Sequence, residues 1–306
     1  MKKEWDLRYR EIHQNNGFLL ADISHVLNWN IGLDDDGNKA LKLRGAFNLQ
    51  TISGTKFMNV RQYSNGEQQT ILFSLLDNEL DDQFFYFVDD LIESTRNCQT
   101  DSQGYNCTIE NYLRWKKMFQ NKPKELLSET QIMGLIAEVL FLKRVLIPKY
   151  GTTIAVHSWS GQKLTHKDFS LDDTWYEIKA VSMSKNEVHI SSLEQLNSNK
   201  PGELVIFKLE KMSSEYDGIK LNNLILDTAD SILETTVRED FLGEVSRQGF
   251  ALNERYDDYV YRVSDPNHYT VNDDFPKLIP DGTCTEITKA EYWLSIPQLE
   301  KYRVSI

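Results

Sequence analysis

The sequence predicts an α/β protein in which a mixed sheet flanked by helices lies between a β-rich N-terminal module and an α/β C-terminal extension. Three patterns support this prediction. Two hairpin signals fall within the first 78 residues, a capped apolar helix is indicated at residues 128–147, and another hairpin is indicated at residues 166–181. Strand and helix signals that alternate along a chain are typical of α/β domains.

The composition limits the class of protein. At 306 residues the chain is long enough for two domains, or for one elaborated domain, with a buried core. No stretch approaches the roughly 18 apolar residues of a membrane span, and the N-terminus lacks the apolar region of a signal peptide. The three cysteines are too scattered for a zinc site, and their odd number favours a reducing compartment. We therefore expect a cytoplasmic protein with no membrane association.

The net charge of −12 is unfavourable for contact with a nucleic-acid backbone, which normally calls for a basic surface. The charge is unevenly distributed along the chain. Residues 121–200 carry 9 acidic and 10 basic side chains, whereas residues 1–120 carry 17 and 13 and residues 201–306 carry 20 and 11. The central segment is nearly neutral, and we expect weak nonspecific DNA affinity with targeting by a partner.

The β-rich module is predicted at residues 1–78. Turn residues at 34–38 and 64–66 separate the strands of its two hairpins. The acidic turn at 34–38 superficially resembles a calcium loop. Lys39 stands where that loop needs glycine, so the segment is interpreted as a turn.

A helical connector is predicted at residues 79–120. Acidic residues open a helix at 81–95, as the helix dipole favours, and a polar loop follows at 97–106. Residues 112–119 mix basic and aromatic side chains. We interpret this segment as a connecting helix with exposed lysine heads, and contact with a nucleic acid is the alternative.

A long apolar helix is predicted at residues 132–147. Ser128 and Gln131 have the spacing of a capping box, and Pro148 is expected to mark the end of the helix. Glu138 is the one carboxylate within this apolar pattern, where it is costly unless it is paired or binds a metal. A satisfied structural residue, or a residue on a narrow exposed stripe, is the alternative for Glu138.

The hairpin at residues 166–181 gathers the most reactive set of side chains. Its second strand alternates, so Glu177 and Lys179 lie on one face, roughly 6–7 Å apart along the strand. A turn at 171–174 places Asp168 of the first strand beside them. Two carboxylates and a lysine at one place suit a divalent cation and a phosphodiester. A surface hairpin with an ordinary Glu–Lys ion pair is the alternative.

Taken together, these segments resemble the PD-(D/E)XK phosphodiesterase superfamily of restriction-endonuclease-like nucleases, and more narrowly the bacterial PD-(D/E)XK motif proteins. The resemblance is specific over residues 128–200. It rests on four motifs, which are GLIAEVL at 134–140, WSG at 159–161, HKDF at 166–169 and YEIKAV at 176–181. Lys167 stands where the superfamily name has proline, a departure that weakens the match only slightly.

The resemblance implies a role for each group of the site. Asp168, Glu177 and the backbone carbonyl of Ile178 would hold the metal, with Glu138 as an outer or water-mediated ligand. Lys179 would be the catalytic lysine, which orients water, stabilises charge, or accepts a proton if its pKa is depressed. The implied cofactor is Mg2+, for which Mn2+ would substitute.

The predicted nuclease-like core extends over residues 121–220, and residues 221–306 form the C-terminal extension. A third strand is predicted at 187–191, and a buried strand at 204–209 completes the central sheet. Between them a helix is predicted to begin near Gln195. By resemblance Gln195 is a candidate for contact near the scissile phosphate, and an ordinary polar residue at a helix N-terminus is the alternative.

The sequence therefore predicts a Mg2+-dependent DNA endonuclease. The resemblance implies a role in bacterial defence against foreign DNA together with other defence proteins, and leaves a homodimer open. The alternative is a catalytically silent subunit that keeps the fold and binds DNA or a partner protein. The acidic net charge favours this alternative, whereas the intact set of four chemical groups opposes it.

Overall fold

The fold is described from a computed structural model. It describes residues 5, 7–9, 11–12, 17–118, 125–159, 167–279 and 289–304. The chain forms two compact units, of which unit 1 comprises residues 1–125 and 245–254, and unit 2 comprises residues 126–244 and 255–306. The finer division into a β-rich module, a connector, a core and an extension stays a prediction.

Unit 1 contains a five-stranded antiparallel sheet and two long helices. Its strands are β1 (Phe18–Leu20), β2 (Asn28–Leu33), β3 (Lys39–Gly45), β4 (Met58–Asn65) and β5 (Gln68–Leu75). Its helices are α1 (Asp81–Ser94) and α2 (Asp101–Met118). The strand order is β1-β2-β3-β5-β4, and both predicted hairpins are present as β2–β3 and β4–β5.

The acidic segment between β2 and β3 is a turn, as predicted. The Asp34 carboxylate accepts hydrogen bonds from the backbone N–H groups of Asp36 and Asn38 and pairs with Arg61 at 3.0 Å. Gly37 adopts a φ of +81°, a left-handed conformation that favours glycine. The carboxylate that would begin a calcium loop is therefore engaged in holding the turn.

The prediction of a polar loop at residues 97–106 is partly wrong, because α2 already begins at Asp101. The carboxylate of Asp101 accepts a hydrogen bond from the backbone N–H of Ala46, and this contact across the unit holds the start of the helix. Tyr112 and Trp115 are buried, so they are core residues of a connecting helix. Position 119 lies outside the described residues.

Unit 2 is built around a six-stranded mixed sheet. Its strands are β6 (Phe169–Ser170), β7 (Trp175–Ser182), β9 (Gly202–Met212), β10 (Ile219–Lys220), β11 (Val260–Val263) and β12 (Asn267–Val271). A separate two-stranded sheet pairs β8 (Glu187–Ile190) with β13 (Tyr292–Ser295). These sheets and the flanking helices confirm the predicted α/β class and its restriction-endonuclease-like character.

Five α-helices follow residue 125 in the part of the chain that the structure describes. They are α3 (Glu129–Phe141), α4 (Ile147–Tyr150), α5 (Thr152–Trp159), α6 (Leu221–Ser231) and α7 (Thr235–Arg247). Within the described ranges, no helix combines the length and apolarity needed to cross a bilayer.

The parallel pair of β7 and β9 is the centre of the mixed sheet. The order is β10-β11-β9-β7-β6, and β12 also pairs with β9. The strand predicted at 204–209 is therefore present, but it lies in the middle of the sheet, because two antiparallel strands share its other edge. The third strand predicted at 187–191 is also present, as β8, and it pairs with β13 in the smaller sheet.

The capping box of α3 is confirmed, since both reciprocal hydrogen bonds between Ser128 and Gln131 are present. The prediction that Pro148 ends the helix is wrong. A π-helical turn at Leu142–Leu146 leads into α4, and the chain leaves the helix at Gly151, whose φ is +82°. Pro148 is tolerated because it lies in the first turn of α4, where a missing N–H is least costly.

The close approach of β9 to β7 predicts a strict need for glycine at position 202. A Cβ there would overlap the indole of Trp175, so Gly202→Ala should lower the free energy of unfolding by about 1–3 kcal/mol. Gly134 in α3 has open space around it, so Gly134→Ala should raise that free energy by about 0.5–1 kcal/mol. Urea unfolding followed by circular dichroism measures both changes. The same change in the free energy of unfolding for both variants would contradict the overlap expected at position 202.

Candidate active site

The hairpin of β6 and β7 places the first carboxylate of the site. The Leu171 N–H donates to the Thr174 carbonyl at 2.9 Å and closes the predicted turn. Strand β6 has two residues, so it is shorter than predicted, and Asp168 precedes it. The register of the hairpin places Asp168 opposite Glu177. His166, at the predicted start of the hairpin, lies outside the described residues.

The side chains of Glu177 and Lys179 are in direct contact in the interior, on one face of β7. The Lys179 Nζ lies 2.9 Å from the Glu177 Oε1, and Glu177 is only 1% exposed. The interpretation as an ordinary surface pair is therefore wrong. Since burial of a charge pair costs about as much desolvation as the attraction returns, stability alone does not account for this arrangement.

Asp168 is held against the backbone of β7. Its Oδ2 accepts a hydrogen bond from the Ile178 N–H at 2.7 Å, and the residue is buried. The N–H and C=O of one strand residue point to the same side of the strand. The Ile178 carbonyl therefore faces the side on which Asp168 lies. The Asp168 carboxylate and the Ile178 carbonyl thus lie at one edge of β7, and the Glu177 carboxylate, whose pKa the charge of Asp168 raises, projects from the adjoining face.

The carboxylates and the lysine shift each other's ionisation. Burial, reinforced by the charge of Asp168, raises the pKa of Glu177 from its ordinary value of 4.5 to about 8. For Lys179, burial acts to lower the pKa, but the charges of Glu177 and Asp168 outweigh it and the pKa is raised. Lys179 therefore stays protonated, and the neighbouring Glu177 carboxyl group loses its proton only at a higher pH than an ordinary glutamate.

The donor set fits a Mg2+ ion that keeps several waters. Among the described residues, the buried Oε2 of Glu177 has no hydrogen-bond partner, although the Oε1 contacts Lys179. The same part of the chain contains no cluster of three or more carboxylate, histidine or cysteine side chains suited to a metal. Mg2+ is typically held by one or two carboxylates plus water and substrate oxygens. Two carboxylates and one carbonyl match that requirement.

Glu138 is fixed by a tryptophan of the next long helix. The Trp159 Nε1 donates to the Glu138 Oε2 at 2.7 Å, and Glu138 is half-buried. The charge of Glu138 contributes to the raised pKa of Lys179, so the carboxylate lies close to the site. Trp159 of the WSG motif therefore fixes the Glu138 carboxylate. The other two residues of the motif, Ser160 and Gly161, lie outside the described residues. The metal-assisting role of Glu138 stays a prediction.

Gln195 contacts the predicted catalytic lysine. Its Oε1 accepts hydrogen bonds from the Lys179 Nζ at 3.1 Å and from the Ser191 backbone N–H at 2.8 Å. The helix predicted to start here is a single 3-10 turn, Leu193–Gln195. The carbonyls of Gln195 and Asn197 accept hydrogen bonds from a lysine Nζ, so they are satisfied without a longer helix.

That lysine is Lys167, which sequence reasoning treated only as a departure from the motif. Its Nζ donates to the carbonyls of Glu194, of Gln195 at 2.6 Å and of Asn197 at 3.0 Å. It also lies 4.1 Å from the ring centroid of Trp175, and it is 2% exposed. Burial lowers the pKa of Lys167 to about 8. The charged form of lysine has three N–H donors, and the three carbonyls accept one hydrogen bond from each of them. Lys167 is a positioning residue for the turn that carries Gln195.

Comparison with known proteins adds one finding. A family model described as "Putative PD-(D/E)XK family member, (DUF4420)" matches residues 8–297. This match extends well beyond residues 128–200, on which the resemblance of the motifs rested, and it includes most of unit 1. No curated protein and no solved structure matches the sequence significantly.

The contacts of Lys167 predict a large loss of stability when its charge is removed. Lys167→Met would remove the donor shared by three partly buried carbonyls, so the free energy of unfolding should fall by about 1–3 kcal/mol. The matched control is Lys200→Met, since the exposed Nζ of Lys200 donates to the Asp172 carbonyl, and its loss should cost under about 0.5 kcal/mol. Chemical denaturation measures both, and similar losses would contradict the assigned role.

The raised pKa of Glu177 predicts a pH-dependent response to Mg2+. In the metal-free native state the proton stays on Glu177 up to about pH 8. The stability that this proton contributes is complete below pH 4.5 and is lost as pH rises through about 8. Because a cation must displace the proton, the apparent Mg2+ affinity should rise about tenfold per pH unit up to about pH 8. Thermal unfolding with and without Mg2+ across this range measures the effect.

Two variants control this measurement. Glu177→Gln should abolish the Mg2+-induced rise in melting temperature at every pH. Asp173→Asn changes an exposed carboxylate in the turn of the same hairpin and should preserve that rise. A response to Mg2+ that survives Glu177→Gln would place the cation elsewhere on the protein.

Proposed function

Since the chain belongs to this PD-(D/E)XK family, we propose that it is a Mg2+-dependent DNA endonuclease that hydrolyses phosphodiester bonds. The observation that carries the proposal is the buried Glu177 oxygen without a hydrogen-bond partner in the described chain, beside Asp168 and a charged lysine. A nuclease site needs anionic oxygens for a cation and a fixed positive charge for the phosphate, and this edge of β7 offers both.

Each group of the chain has a specific task in this proposal. Asp168, Glu177 and the Ile178 carbonyl would hold the cation, and Glu138 would assist from α3. When bound there, Mg2+ lowers the pKa of water and neutralises charge that develops on the phosphate. The hydrogen bond from the Ile178 N–H fixes the Asp168 carboxylate and so limits the reorganisation needed when substrate arrives.

The raised pKa of Lys179 in the metal-free chain favours one of its possible roles over the others. A lysine that acts as a general base needs a depressed pKa, and Lys179 has the opposite shift. Its ammonium group is therefore assigned to orient the attacking water and to stabilise negative charge in the transition state. Gln195, which accepts a hydrogen bond from the Lys179 Nζ, would keep this cation directed at the phosphate.

The biological setting follows from the family resemblance and not from the chemistry of the site. We propose a role in bacterial defence against foreign DNA together with partner proteins, because the motif family that the site resembles implies one. The net charge of −12 supports reliance on a partner, since the chain has little electrostatic attraction of its own for DNA.

Cleavage of plasmid, linear duplex and single-stranded DNA with Mg2+ or Mn2+ tests the function. Lys179→Ala and Asp168→Asn should each lower the cleavage rate by about a hundredfold or more, because each removes a charge that acts in the transition state. Lys200→Ala removes an exposed lysine of the same unit and should leave the rate unchanged. Circular dichroism checks that each variant is folded.

The alternative outcomes have distinct meanings. Cleavage that survives both substitutions would show that the assigned residues are wrong. Absence of cleavage with either cation, on any of the three substrates, would contradict the endonuclease and favour the silent subunit that binds DNA or a partner protein.

A further inference from the structure

A groove of about 510 Å³ opens directly beside Lys179 in unit 2. Its volume lies within the roughly 300–1,000 Å³ typical of pockets for small ligands. Its lining comes from the N-terminal half of α3, from β7 and from the β8–β13 sheet, and includes Met133, Gly134, Lys179, Lys185, Glu187 and Trp293. Because Lys179 belongs to both, the groove is continuous with the candidate active site.

One wall of the groove carries an exposed tryptophan. Side chains alternate along β13, so Leu294 packs into the apolar cluster of unit 2 while its neighbour Trp293 points outward and is 59% exposed. A tryptophan exposed to this extent at the edge of a cavity is available to a flat ligand ring.

The Trp293 ring is held in place before any ligand arrives. It stacks on His189, which is directly opposite in the β8–β13 register, with ring centroids 4.6 Å apart and an interplanar angle of 22°. The His189 Nε2 lies 2.9 Å from the Glu291 carboxylate, which fixes the imidazole in turn. A preordered aromatic ring loses little conformational entropy when a second ring stacks on it.

The charges in the groove suit a nucleotide. Lys179 and Lys185 supply positive charge for a phosphate, and Glu187 is the one acidic residue among the described residues of the lining. Nucleobases stack well on tryptophan, and every base has a suitable face. In a duplex those faces are covered by neighbouring base pairs, so only an unpaired base reaches a ring inside a groove.

We propose that this groove binds an unpaired nucleobase next to the scissile phosphate, with Trp293 as the stacking platform, so that the substrate is single-stranded or locally unpaired DNA. The assignment of the phosphate to Lys179 rests on the proposed nuclease function. The base site itself rests on the groove, on the exposed ring and on the His189 stack.

Binding without cleavage tests the proposal. The affinity of fluorescein-labelled oligo(dT) of about 12 nucleotides is measured by anisotropy, in EDTA and separately with Ca2+, and is compared with a blunt duplex of equal length. The full-length protein should bind oligo(dT) more tightly than the duplex. Trp293→Ala should weaken oligo(dT) binding about 5- to 150-fold, which is the loss of one base stack, and Trp293→Phe should restore most of it.

Tyr216→Ala is the matched control, since Tyr216 is an aromatic residue of the same unit that is 37% exposed and lies outside the groove lining. Wild-type affinity in Trp293→Ala would overturn the proposal. Equal affinity of the full-length protein for the duplex, or no binding of oligo(dT) in either buffer, would also overturn it. Binding of oligo(dT) that depends on Trp293, without any DNA cleavage, would support the nucleobase site and contradict the nuclease function. Failure of the base-site proposal and failure of the nuclease proposal are therefore distinguishable.

Discussion

Two buried carboxylates that act on each other, Asp168 and Glu177, constrain the groups that can surround them in unit 2. Inside a protein their repulsion is poorly screened, so positive charge and hydrogen-bond donors must be supplied from nearby. The Ile178 N–H, the Lys179 ammonium and a proton on Glu177 meet this need in the metal-free chain. The arrangement contributes little to stability, and a bound cation would neutralise the charge of the two carboxylates.

The positioning of the site depends on a chain of contacts that begins outside it. Lys167 donates hydrogen bonds to carbonyls in and beside a 3-10 turn, and this turn carries Gln195. The Gln195 side chain in turn accepts a hydrogen bond from Lys179. Linked polar groups of this kind restrict one another, so each has fewer accessible rotamers than it would have alone. The lysine at the proline position of the motif therefore contributes to the geometry of the predicted catalytic lysine through two successive links, its own hydrogen bonds to the turn and the hydrogen bond from Lys179 to Gln195.

Features that depend on local interactions could be predicted from the sequence. Alternation along β7 placed Glu177 and Lys179 on one face, and the capping box at Ser128 located the start of α3. Features that depend on contacts between distant residues could not. The contacts of Lys167 span 27 to 30 positions, and the stack of Trp293 on His189 depends on the pairing of two strands about a hundred residues apart. No periodicity within either segment encodes such contacts.

The interleaving of the two units has a consequence for how the protein is made. Residues 245–254 belong to unit 1, and Phe250 and Leu252 within them are buried. A ribosome synthesises residues 126–244 before this segment, so unit 1 stays incomplete while most of unit 2 emerges. The usual vectorial order, in which an N-terminal domain matures first, is therefore not available to this chain. Splitting the gene near codon 125 would yield two fragments. The first would lack residues 245–254 of unit 1, and the second would carry the apolar side chains of that segment without the rest of unit 1.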